Sequence, residues 1–180
     1  PIMRMSKSTA PQPKPAAGSV LFSDDGKYAF PVSGFTGYGC SHWDGVLAVD
    51  IEVGQKVFTD PEFNKPVVAY TSGTMNIVEE TDYGGKDFIL AGDDGRFYYY
   101  AHNCQIFATV GQRVNAGEVL AITDQTGKNA QITVEHTHFA IGNTNSFYSG
   151  GTVCAQRDFA EKFSSLKNRC PSSALCAPPK

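Results

Sequence analysis

The chain has 180 residues, 41% of them hydrophobic and 18% charged, a balance that allows one well-buried core and excludes disorder of the whole chain. Its formal net charge is −3 with no Lys/Arg cluster, so no nucleic-acid footprint is expected. The longest apolar runs, such as GVLAV at 45–49, fall far short of a membrane span.

No signal peptide is visible, and a start at Pro1 is compatible with an upstream targeting segment already removed. Residues 1–19, PIMRMSKSTAPQPKPAAGS, carry alternating prolines at Pro11, Pro13 and Pro15 and almost no large apolar groups. They read as an extended, solvated N-terminal tail. From Val20 the pattern changes to short apolar runs cut by turn signals: DDG at 24–26, SG at 33–34, YGG at 83–85 and DDG at 93–95. The runs between them (VLAVDIEV, PVVAYTSG, KDFILAGDD, RFYYYAH, EVLAITD, QITVEHTHFAI) are rich in β-branched and aromatic residues. Short, regularly spaced strands predict an all-β domain over 20–150. A weak repeat, Val53-Gly54-Gln55-Lys56-Val57 against Val110-Gly111-Gln112-Arg113-Val114, points to a duplicated hairpin layout.

After Gly142 the β pattern fades into a loop, NTNSFYSGGT. A C-terminal extension, 151–180, then offers one short helix from Asp158 to Leu166. Phe159, Phe163 and Leu166 share a face there, and Asp158 with Glu161 resembles an N-terminal cap and its partner. Five cysteines, Cys40, Cys104, Cys154, Cys170 and Cys176, favour an oxidising compartment with one or two disulfides. Five is odd, so at least one thiol stays outside any intrachain bridge.

The four histidines carry the chemistry. Two of them sit in VEHTHFAIG at 134–142. On a strand residues i and i+2 point the same way, so His136 and His138 project from one face and Thr137 and Phe139 from the other. An HxH alone is more often a pair of surface histidines, but the remaining two change that weighing. His102 ends the strand-like FYYYAH, on the face of Tyr98 and Tyr100, and His42 lies shortly before the strand that carries Asp50. A zinc hydrolase needs three protein ligands, an open position, a base for the water and a donor for the oxyanion. Four histidines and one carboxylate fill those roles with nothing left over.

The ordered elements His42…Asp50-Ile51, Tyr100-Ala101-His102, VGQRVNAGEVLAI and HTHF at 136–139 resemble the lysostaphin-type (LytM-like) zinc endopeptidases, which cleave peptide cross-links in bacterial peptidoglycan. The resemblance runs from about Phe30 to Gly142. It implies a two-sheet all-β sandwich with a groove over a zinc site, His42, Asp50 and His138 as metal ligands, and His136 and His102 flanking the activated water and the developing oxyanion. His136 is the implied general base and His102 the oxyanion donor, roles that are exchangeable. It further implies peptidoglycan peptides as partners and a secreted, periplasmic or cell-wall-associated location.

This sequence departs from the family pattern in three places. His42 and Asp50 stand eight apart where four is common, which makes Asp44 a rival ligand; Ile51 and Gly54…Val57 reproduce the family context after the aspartate and favour Asp50. Val134-Glu135 replaces a small residue or glycine before HxH, and Ala140 stands where an acidic residue is frequent. Cys40 and Cys104, each two residues from a site histidine, can be bridged, ligating or simply buried, with a bridge between them favoured. Trp43 either lines the cleft or packs. Two rival readings are a cell-wall-binding or regulatory module without catalysis, and a biotin- or lipoyl-carrier domain. The carrier reading is disfavoured because no lysine occupies the matching turn and Lys128 lies in TGKN, an ordinary solvated loop.

Overall fold

Runs of β-branched and aromatic residues become strands, and the turn residues between them become the connections. The computed structural model describes residues 13–42, 47–53, 65–146, 151–171 and 176. Nine strands follow in chain order: β1 (Gly37–Tyr38), β2 (Ala48–Glu52), β3 (Pro66–Val68), β4 (Gly73–Thr81), β5 (Gly85–Gly92), β6 (Phe97–Ile106), β7 (Arg113–Val114), β8 (Val119–Thr123) and β9 (His136–Gly142). Helix α1 (Ala155–Lys162) and a 3-10 turn (Ser164–Leu166) complete the described elements. The first copy of the repeat falls almost wholly outside the described residues; the second forms the turn at Gly111 and strand β7.

All strand pairs are antiparallel, in the order β1-β2-β9-β6-β5-β4-β7, with β3 joined to β8 and β8 to β6. The all-β expectation holds, but the expected pair of sheets is one hydrogen-bonded sheet that branches. The reason is the length of β6. Its first half pairs with β9 and its second half with β8, so the two groups of strands share a ladder.

Alternation along the central strands separates two apolar faces. Val49, Ile51, Phe88, Leu90, Tyr98, Tyr100, Phe139 and Ile141 enter the main core with Phe30, Tyr70, Phe159 and Phe163. Ala48, Ile89, Tyr99, Ala101 and Ala140 form a smaller cluster on the opposite face. The main core is aromatic, and each such side chain contributes roughly 1.5–3 kcal/mol by burial. Phe159 of α1 lies 4.8 Å from the Phe30 ring and 5.7 Å from Phe139, which fixes the helix to this face.

The helix starts earlier than the sequence pattern predicts. Cys154 is its N-cap, and Phe163, with extended backbone, ends it before the 3-10 turn. Asp158 is no cap: it is buried and accepts from Tyr70 Oη (2.5 Å), Arg96 Nη1 (2.9 Å) and Lys162 Nζ (2.5 Å). Three donors reward burying that carboxylate more than a cap position does.

Candidate metal centre

The site grows from one cross-strand pair. In the β2–β9 ladder Asp50 stands opposite His138, and Glu52 opposite His136. Directly opposed residues share a face, so the two-residue period of each strand brings Asp50, His136 and His138 to one side and sends Val49, Ile51, Thr137 and Phe139 to the other. Ala48 and Ala140, the small residues next along this face, leave room for the imidazoles above the sheet. His42 arrives from the connection between β1 and β2.

Nitrogen and oxygen donors of His42, Asp50 and His138 lie within 4.8 Å of one another. His138 Nδ1 is 2.9 Å and His42 Nε2 3.4 Å from Asp50 Oδ1. The His42 and His138 rings meet edge to face at 4.9 Å. All four histidines are buried, while the Asp50 side chain keeps 32% exposure, so the cluster opens to solvent at the carboxylate. Burial alone raises the Asp50 pKa, but hydrogen bonds from His138 and His42 and the nearby His138 and His136 rings overcome it and hold the carboxyl well below the usual range. Two imidazole nitrogens and a charged carboxylate suit zinc: with bonds of about 2.0–2.1 Å, tetrahedral partners stand about 3.4 Å apart, and a fourth position stays open.

His136 and His102 border this donor set. The His136 Nε2 atom lies 3.7 Å from Asp50 Oδ1, and the His102 ring is 4.9 Å from His136 and 6.1 Å from His138. Their outer nitrogens face backbone carbonyls: His102 Nδ1 donates to Thr126 O and His136 Nδ1 to Val134 O, both at 2.8 Å. A carbonyl can only accept, so each ring carries a hydrogen on Nδ1, and the neutral form of that tautomer presents an Nε2 lone pair. Burial, with the neighbouring His136 ring, lowers the His102 pKa to about 4, keeping that ring neutral.

His102 reaches this face by breaking the strand alternation. Simple alternation puts it with Tyr98 and Tyr100, which face the main core. Between the pairs Phe88↔Tyr100 and Lys86↔Asn103, however, Ala101 and His102 together oppose the single residue Asp87. This is a β-bulge, and His102 adopts φ 68°, one of only two positive-φ non-glycine residues among those described. The left-handed residue turns the imidazole across the sheet. Its backbone is held by His102 N–H to Gly84 O (2.8 Å) and by Asp124 N–H to His102 O (2.9 Å).

The Thr126 carbonyl is placed by a close backbone approach. Gly85 and Gly127 have φ of 67° and 82°, and a Cβ on either would strike the other's loop. Nothing in a single sequence marks Thr126 or Val134, because both act through main-chain oxygens. Tyr99, whose ring is 6.1 Å from His138, confirms that the Phe97–Tyr100 run has one face in the core and one at the site.

Among the remaining expectations, Asp44 and Trp43 lie outside the described residues. The favoured Cys40–Cys104 bridge is not formed. Cys40 bonds Cys170 and Cys154 bonds Cys176, and Cys104 is in neither bridge. The C-terminal extension returns to β1, and the sequence separation of 130 residues hid that partner. Glu135 is buried against Thr123, whose hydroxyl donates to it at 2.5 Å. Lys128 pairs with exposed Asp82, as the solvated-loop reading requires.

The chain is similar to the catalytic domain of the antimicrobial peptidase lysostaphin from Staphylococcus simulans (26% identity over 60% of this chain and 71% of that one, TM-score 0.48). It is also similar to LytU (22%, over 87% of this chain and 90% of that one, TM-score 0.47). A third likeness is to a zinc-containing peptidase from Vibrio cholerae (18%, over 68% and 42%, TM-score 0.45). The model of peptidase family M23 matches residues 50–149, beginning at Asp50 and taking in His102, His136 and His138. That match covers more than half of the chain, which belongs to peptidase family M23.

Proposed function

We propose that this protein is a zinc-dependent endopeptidase that hydrolyses peptide cross-links of bacterial peptidoglycan outside the cytoplasm. One observation carries the reading: the converging donors of His42, Asp50 and His138 stand beside two imidazoles whose Nε2 lone pairs are left available. Family membership and the likeness to lysostaphin support the substrate class. Two disulfides support an oxidising compartment. Among the described residues no helix is long and apolar enough to cross a membrane.

His42, Asp50 and His138 hold the zinc. When bound, zinc acts as a Lewis acid, lowering the pKa of water to about 7 in well-studied sites and polarising a carbonyl. His136 Nε2 accepts the proton as the water oxygen attacks the peptide carbon. The Asp50 carboxylate 3.7 Å away favours the resulting imidazolium. The same proton then passes to the leaving amine nitrogen as the C–N bond breaks. His102 starts as an acceptor and orients water or a substrate N–H at its Nε2. Its role as oxyanion donor belongs to its protonated form, because Nδ1–H is already committed to Thr126 O.

The experiment is digestion of purified peptidoglycans of different cross-link chemistry, with fragments identified by mass spectrometry. New amine termini at one cross-link type, abolished by a chelator and restored by zinc, are expected. Binding to the sacculus without any released fragment would falsify the enzymatic reading and leave a binding module.

A further inference from the structure

We propose that the C-terminal segment, which follows the region matched by the family, is a clamp that positions His42 for metal binding, with Gln156 as the positioning residue. The inference rests on the reading of His42 as a zinc ligand. The family match spans 50–149, so both His42 and α1 lie outside it. His42 also stands eight residues before Asp50, on the connection between β1 and β2. A longer connection has more conformations to lose when its histidine is fixed.

The segment grips both ends of that connection. Gln156, only 1% exposed, donates its Nε2 hydrogens to Ala48 O (3.0 Å) and Gly39 O (3.4 Å), the residues that bracket 40–47. A side-chain amide has two N–H donors on one nitrogen, so a single glutamine can tie the exit of β1 to the entry of β2. Cys40, two residues before His42, is bonded to Cys170. The Arg169 guanidinium lies over the Tyr38 ring, 4.6 Å from its centroid. Three attachments from 156–170 therefore converge on residues 38–48. The segment itself is anchored by Phe159 in the main core and by the bridge between Val153 and Ile141 of β9. The clamp thus refers the His42 connection to the same strand that carries His138.

The test is zinc affinity by chelator competition on the full chain, together with the absorption spectrum of the cobalt-loaded protein. Outer partners of ligands typically change metal affinity by about 10–100-fold. Gln156→Leu, with wild-type thermal unfolding, should lose affinity by about that factor and alter the cobalt bands. In a His42→Ala background the same substitution should cost nothing further, because the effect passes through His42. Equal losses in both backgrounds, or unchanged zinc affinity in folded Gln156→Leu, overturn the clamp. If Gln156→Leu does not fold, the Cys40→Ala/Cys170→Ala pair enters the same cycle with the same two outcomes. Undiminished zinc affinity in His42→Ala instead overturns the ligand assignment beneath the proposal.

Discussion

The two faces of the central strands are built from alternate residues of the same segments, yet they do opposite work. One face, from Val49 and Ile51 across Phe139 and Ile141 to Tyr98 and Tyr100, is bulky, apolar and closed by α1. The other carries alanines at Ala48, Ala101 and Ala140 and then Asp50, His136 and His138. A period of two lets neighbouring residues such as His138 and Phe139 belong to different problems, the proposed metal site and stability. The rigid core beneath fixes the donors above it, a support that a metal site on a free loop lacks.

The largest effect should come from the site face. His138→Ala is expected to lose zinc and hydrolysis together while the unfolding transition of the metal-free protein stays close to that of metal-free wild type. Asp50→Ala should behave alike, and Asp44→Ala should keep its zinc. Metal content by elemental analysis checks all three, and zinc retained in Asp50→Ala but lost in Asp44→Ala reverses the ligand assignment.

Next come His136→Ala and His102→Ala. Each should retain zinc and fold but lose turnover by about 10²–10⁴-fold, the range for acid–base groups. Ordinary turnover in His102→Ala would make the bulge a structural feature only.

Phe139→Ala tests the opposite face. It should cost about 3–5 kcal/mol in denaturant unfolding, because a fully buried ring leaves a cavity, while the folded fraction still binds zinc. A zinc affinity that fell in proportion to stability would show that the two faces are not separable.

A smaller effect concerns Asp87, a polar residue on the site face that is no ligand. It is fully buried under Thr81 and Tyr99, whose hydroxyls donate to it at 2.7 and 3.3 Å, and Glu79 stands opposite. Burial, with Glu79 adding to it, raises its pKa to about 6. An acid whose folded pKa is raised holds its proton more tightly when folded. Its stabilising contribution is therefore present below about pH 4 and lost as pH rises through 6. Asp87→Asn should remove that dependence, gaining roughly 3 kcal/mol over wild type as pH rises from below 4 to 7. Parallel stability curves for the two proteins across this range would discard the assignment.

The smallest concerns the bulge itself. His102→Gly and His102→Ala both remove the imidazole, but only glycine relaxes the left-handed backbone. The glycine variant should be more stable than the alanine variant by about 1 kcal/mol in denaturant unfolding, since a Cβ in that conformation costs about 1–2 kcal/mol. Equal stabilities would mean that the positive φ carries no strain.

The sequence by itself determined what depends on neighbours in the chain. Strand periodicity put His136 and His138 on one face, turn residues marked the hairpins, and the order of histidines and Asp50 carried the family resemblance. Pairing between distant segments decided the rest. His102 belongs to the site because β5 offers one residue, Asp87, against two of β6, and a single strand read alone cannot display a mismatch in its partner. Asp158 left the helix cap because Tyr70 and Arg96, far away in sequence, bring donors to it. Cys40 found Cys170 and not Cys104 because α1 folds back over the main core and delivers the C-terminal segment to β1. Local pattern is set by backbone geometry over a few residues, whereas these three outcomes are set by which long-range contacts bury the most surface and satisfy the most polar groups.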